Sequence, residues 1–537
     1  MGLKPIVVLL AAFLAVQAMI LAVNTVKAGV PACVLPWDMA CYLPGGAHED
    51  PDVALANADI TRNENSALAE IKSSPPKDLY HQLTLLGKAE IFDRNISVNR
   101  NVACATCHLA YSGFTGGVSL MNKTIVAQIG SVPITNADDH HPNYRTGQRK
   151  PSSYGYAPFM QVLHYSAQTH DFTGGNFWDM RATGQRLGNA AAEQAEGPPV
   201  NPVELAMPDT ACVVYRVATG PYRAFFEQVW GPQAFAIQWP SDVEQACNTP
   251  AGVPPDQAST STVPDPGLNP IVLKLSDRDR GLANATYDQF ADALAAYEAS
   301  PEVSPFSSKF DAYLANKVRL TPQEQRGLDL FNGIAKCNTC HSDGIGSTAA
   351  DGRTVTITRA RLALATSSAP LFTNQTSANL GVPNNSDIPY LYENVPDQYG
   401  YIANKKGRAY KDTGVADFLT SPNNPNPGTW GPLAPKFDGK FQVPTLRNVD
   451  KRPRPDFVKA YMHNGYFKSL KEVVHFYNTR DVLPHCAQGS RGEKVTCWPV
   501  PEDAHNLNKV VGKLGLTNAQ ENDLVAFLKT LTDGYIP

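Results

Sequence analysis

Apolar residues recur at helical spacing in several separated stretches of the chain. In TYDQFADALAAYEAS, Phe290, Leu294 and Tyr297 share one face. In TNAQENDLVAFLKTL, Leu524, Phe527, Leu528 and Leu531 follow the i, i+3, i+4, i+7 pattern behind Thr517, a cap-type residue. Two shorter amphipathic patterns lie upstream, LTLLGKAEIF and TPQEQRGLDLF. The second opens with Thr321 as N-cap, Pro322 at the first helical position and Glu324 completing a capping box. The pattern therefore predicts a short helix followed by a later closing helix, twice over. Between the two copies, SPEVSPFSSKFDAYLANKVRL interrupts helix with Pro and Ser and predicts a boundary. Segments at roughly 240–275 and 375–435, rich in Pro, Asn and Gly, have no clear period and predict ordered surface excursions. The expected fold class is mainly α, with long irregular loops and little strand.

The chain starts differently. Lys4 precedes the apolar run IVVLLAAFLAVQAMILAV, and VKA then supplies small residues at a cleavage position, which predicts an export signal over residues 1–28. An uncleaved membrane anchor is the alternative, because about twenty apolar residues can span a bilayer. With 46 basic against 50 acidic residues the balance is mildly acidic, and losing Lys4 and Lys27 with the signal makes it more so. No nucleic-acid partner is expected from such a charge.

Ten cysteines divide into two sets. Cys104, Cys107, Cys337 and Cys340 belong to NVACATCHLAYSGF and AKCNTCHSDG, while Cys33 and Cys41, Cys212 and Cys247, and Cys486 and Cys497 form local pairs. In an exported protein these pairs predict disulfides. A Cys-x-x-Cys-His motif lets two thiols add across the vinyl groups of one haem while the imidazole reaches the iron. His108 and His341 are thus the expected proximal ligands. A four-cysteine zinc site is disfavoured, since both copies carry the histidine. The expected organisation is two cytochrome c-like domains in tandem, each holding one covalently bound haem: signal peptide 1–28, N-terminal extension 29–75, first domain 76–310 and second domain 311–537.

Around these motifs the chain resembles the bacterial di-haem cytochrome c peroxidase and MauG family. The resemblance rests on LGKAEIFDRNISVNRNVACATCH, NFWDMRATG, AAEQAEGPPVNPVEL, RGLDLFNGIAKCNTCH and FQVPTLRNVDKRPRPDFVKAYMHNGYFKSLKEVVHFYN. It implies a periplasmic enzyme in which hydrogen peroxide reacts at the His108 haem and the His341 haem relays electrons, with oxidising equivalents held across both haems. The distal-pocket segment carries over to Gln194, Pro198 and Glu204, with Glu204 as the carboxyl that moves a proton during O–O cleavage and Gln194 as an orienting group. Trp178 matches the tryptophan between the haems, although Met180 stands where the family usually has glycine. Counting forward from His463 places the second iron's distal ligand on Tyr477, as in the MauG-like branch with a tyrosine-ligated haem; His475 and Met462 are the alternatives. A phenolate would favour the oxidised metal. His140 and His141 lie where some relatives supply a displaceable distal histidine. Calcium is a further cofactor candidate by resemblance, its neighbourhood occupied here by Arg149 and Lys150. The implied electron source is a small cytochrome c or cupredoxin. Oxidation of a protein substrate and a non-enzymatic two-haem electron carrier are the competing functions.

Overall fold

The computed structural model describes residues 51–73, 75–124, 129–135, 144–252, 273–342, 356–357, 362–363 and 369–537. The expected export signal, Cys33, Cys41, His140 and His141 lie outside the described residues.

The ten helices used below are α1 (Pro51–Ser73), α2 (Leu79–Ile91), α3 (Cys104–Cys107), α4 (Ala190–Ala195), α5 (Thr210–Ala218), α6 (Arg223–Trp230), α7 (Asp277–Glu298), α8 (Pro322–Asn332), α9 (Leu470–Thr479) and α10 (Asn518–Lys529). Strand is confined, among the described residues, to four two-stranded antiparallel ribbons. One pairs Ile129–Pro133 with Tyr144–Thr146, and another pairs Ser377–Ala378 with Phe441–Gln442. The mainly helical expectation holds.

Each half has its own apolar core. The first gathers Leu83, Leu86, Phe226, Phe290, Leu294 and Tyr297, and the second Leu328, Phe331, Phe372, Phe467, Leu524 and Phe527. In the first half α2 packs on α7, and in the second α8 packs on α10; these are the most extensive helix pairs in their halves. Both crossings are made at a glycine. A methyl group on Gly87 would overlap the Ala293 carbonyl, and one on Gly327 would overlap the Asp523 carbonyl. The missing Cβ lets the two backbones meet.

Capping chemistry acts as expected. Glu324 N–H donates to Thr321 Oγ1 at 3.3 Å and Thr321 N–H donates back to Glu324 Oε2 at 2.7 Å. Thr517 caps α10 in the same way with Gln520. Helix α7 starts at Asp277, well before the periodic stretch beginning at Thr286, because Ser276 accepts the Asp279 N–H at 3.1 Å and sets the first turn. That turn is polar and leaves no apolar stripe to read.

Two of the expected disulfides form. Cys212–Cys247 ties α5 to the end of a later short helix, and Cys486–Cys497 closes a loop beside α9. The aperiodic 375–435 stretch supplies a cluster that crosses the halves: Val415, Phe418, Trp430 and Phe437 pack on Leu163, Phe172 and Met180. Helix α1 adds Ile60 and Ala67 to the first core, and Arg454 reaches back to it through Asp52.

Candidate functional site: two histidine-thiol cavities

At the first motif α3 carries both thiols and His108 follows it. His108 Nδ1 lies 2.9 Å from the Phe114 carbonyl. A carbonyl only accepts, so Nδ1 carries the proton and Nε2 keeps its lone pair. The second site repeats the device: His341 Nδ1 lies 2.8 Å from the Phe372 carbonyl. Burial pushes both imidazoles down to about 4, so each is neutral and able to coordinate. Phe114 and Phe372 both have left-handed backbones, φ 61° and 53°. That conformation is rare for a bulky residue and is held in place by the surrounding fold. Neither phenylalanine carries a sequence signal, and both were missed.

Cys104, Cys107 and His108 line one cavity with Gln194, Pro198 and Glu204. Gln194 comes from α4, whose N-cap Asn189 accepts from Ala191 N–H and Ala192 N–H. Glu204 is held from two sides. Ser131 N–H donates to its carbonyl at 2.6 Å, and Asn201 Nδ2 donates to its Oε1 at 2.6 Å. Burial raises its carboxyl to about 7 against the opposing pull of Arg181 and the Asn201 hydrogen bond. A carboxyl poised there can both take and give a proton near neutrality.

Trp178 borders the cavity that extends from His108 and also the one that holds His341. Its Nε1–H donates to the Lys150 carbonyl at 2.9 Å, and its own carbonyl accepts from Gln442 N–H at 2.7 Å. Met180, fully buried, takes φ 63° in the turn closed by its N–H to the Phe177 carbonyl. The residue that replaces the family's usual glycine has therefore kept a left-handed backbone, at a cost of roughly 1–2 kcal/mol.

At the second motif Cys337, Cys340 and His341 share a cavity with Tyr477 from α9 and with Met462. Burial, reinforced by the nearby thiols, raises the Tyr477 phenol above its ordinary range. His475 is turned elsewhere, with Nδ1 3.0 Å from Glu521 Oε1 and Nε2 3.2 Å from the Val495 carbonyl. The structure thus brings Tyr477 and Met462 to the second site and leaves His475 out.

The family model described as di-haem cytochrome c peroxidase matches residues 81–252. The methylamine utilization protein MauG of Paracoccus denitrificans is 29% identical over 454 residues, which is 84% of this chain and 88% of that protein. The cytochrome-c peroxidase IdrP1 of Denitromonas iodatirespirans is 28% identical over 245 residues, covering 45% of this chain and 48% of that protein. The crystal structure of the diheme peroxidase BthA from Burkholderia thailandensis superposes with a TM-score of 0.56 at 25% identity, covering 84% of this chain and 86% of that one. The chain is thus similar to the di-haem cytochrome c peroxidases and MauG over most of its length.

That similarity supports an oxidoreductase and implies two c-type haems. The donor sets of both cavities fit that group, since each offers two thiols and a neutral imidazole with Nε2 free. Calcium does not fit the neighbourhood the resemblance pointed to. Arg149 is buried there between Asp179 and Asp412, both at 2.6 Å, and the Lys150 ammonium occupies the adjoining space. Calcium needs six or more oxygen ligands, not fixed cations. No helix among the described residues is long and apolar enough to cross a membrane.

Proposed function

We propose that this protein is a periplasmic di-haem peroxidase that reduces hydrogen peroxide at the His108 site with electrons delivered through the His341 site. The observation that carries the proposal is the placement of Glu204, half-buried and raised to about 7, in the cavity of Cys104, Cys107 and His108. Haem, which the thiols with His108 and His341 would hold, would supply the iron chemistry of peroxide reduction and electron storage. Glu204 accepts the peroxide proton and returns it to the departing oxygen, Asn201 keeps its carboxyl oriented, and Gln194 and Pro198 shape the distal space. Trp178 provides an oxidisable indole between the two sites, fixed by its hydrogen bond to Lys150. Tyr477 would hold the iron of the second haem together with His341, favoured because it faces the His341 cavity while His475 is engaged elsewhere. A small cytochrome c or cupredoxin is the electron donor, and residues 1–28 export the chain.

The second reading is a MauG-like oxidase acting on side chains of a partner protein. The similarity to MauG over 84% of this chain favours it, and so does an oxygen ligand at the second iron. A plain electron carrier is disfavoured by the distal carboxyl.

Mixing the diferric holoprotein with one equivalent of peroxide tests the reading. Visible and near-infrared spectra should change at both haems, and Tyr477→Phe should alter the second haem's resting spectrum while Met462→Leu leaves it unchanged. An unaltered second haem in Tyr477→Phe would refute the ligand assignment, and inertness of both haems to peroxide would refute the peroxidase. Rapid turnover with generic electron donors selects peroxide removal; slow turnover with a long-lived oxidised form selects the partner-protein reaction.

A further inference from the structure

Two lysines on the wall of the His341 cavity are buried with no counter-charge among the described residues. Lys150 and Lys459 are 6% and 4% exposed. Lys150 Nζ donates to Thr115 Oγ1 and to the Pro151 carbonyl at 3.1 Å. Lys459 Nζ donates to the carbonyls of Asn448 at 2.8 Å and Lys451 at 3.3 Å. All of these acceptors are neutral, and neither ammonium meets a carboxylate among the described residues.

The acids around them are committed. Asp412 is gripped by Arg149, Glu502 accepts the Asp412 N–H and approaches His463, and Asp503 meets His505 at 3.0 Å. Asp450, which pulls on Lys459, is bound by Arg452. Burial pushes Lys150 down to about 7, and burial together with the Lys150 charge pushes Lys459 well down. Two ammoniums that repel one another in a dry site are costly, and each calls for an anion. The cavity they face is the one whose thiols and imidazole fit haem, and haem carries two carboxylates of its own. Lys150 also lines the cavity that extends from His108, so it stands where the two sites meet.

We infer that Lys150 and Lys459 are the anchors of the haem propionates at this junction, Lys459 for the His341 haem and Lys150 shared between both. The inference rests on the two-haem reading above. Fixed positive charge beside a haem stabilises its reduced form, so the pair holds the relay haem's potential above the value its own ligands would set.

Spectroelectrochemical titration of the holoprotein tests this. Lys459→Met should lower the potential of the His341 haem, and Lys150→Met should lower the potentials of both haems. Lys150→Arg and Lys459→Arg should stay near the parent, as should Lys405→Met at an exposed position. Met variants that carry both haems by mass spectrometry and titrate like the parent overturn the clamp. Should the Met variants not fold, the holoprotein's crystal structure decides. Propionate oxygens within hydrogen-bond distance of both ammoniums support the clamp, and propionates directed elsewhere overturn it. Parent protein with no covalent haem would defeat the functional reading, a separate result.

Discussion

Glu204 illustrates how much a single residue depends on its surroundings. A proton acceptor must be unprotonated, and with its carboxyl raised to about 7 the charged form grows as pH rises through neutrality. The second-order rate of reaction with peroxide, followed by stopped flow, should therefore climb between pH 6 and 8 with a midpoint near 7. Asn201→Ala removes a hydrogen bond that favours the carboxylate, so the midpoint should move upward. Glu204→Gln should slow the reaction by roughly 10²–10⁴-fold across the range, the usual contribution of a positioned acid-base group. A rate unchanged in Glu204→Gln would remove this carboxyl from the chemistry. At the same scale the two orienting carbonyls, on Phe114 and Phe372, show a limit of reading residues by type. Their contribution is a backbone oxygen aimed by a left-handed φ, which no side-chain identity announces.

Between elements, the decisive feature is the glycine at each helix crossing. Replacing Gly327 with Ala forces α8 away from α10 and should destabilise the holoprotein by roughly 1–3 kcal/mol in denaturant titration. Gly281→Ala provides the contrast, because nothing lies within 4 Å of the added methyl on α7; it should be neutral or stabilising by about 0.4–1 kcal/mol. Equal losses from both would mean that close approach is not what Gly327 provides. The elements themselves were largely legible. Helical period located the buried faces of α7 and α10, and cap residues placed the starts of α8 and α10. The early start of α7 was less so, since its polar first turn has no apolar periodicity and is fixed by the Ser276 cap and by Arg280, which donates to Asp209 far along the chain.

For the whole molecule, the two halves are joined by charge as well as by apolar packing. Arg149 in the first half binds Asp412 in the second through two hydrogen bonds of 2.6 Å while also meeting Asp179. Removing one partner leaves a buried guanidinium under-compensated, so Asp412→Asn should cost about 3–5 kcal/mol and lower the thermal midpoint. An unchanged midpoint would show that the pair does not hold the halves together. What the sequence by itself determined was the chemistry written in contiguous residues: two thiol-thiol-histidine motifs, the caps, the helical stripes and the local disulfide pairs. Each depends on neighbours a few positions apart, whose interactions are strong before any distant contact forms. Only the tertiary structure decided what faces what. It set Trp178 between the cavities, turned His475 away while Tyr477 faced inward, and buried Lys150 and Lys459 with no carboxylate partner among the described residues. Those outcomes depend on burial and on the packing of the aperiodic 375–435 stretch against the first half, where contacts between residues hundreds of positions apart leave no period along the chain.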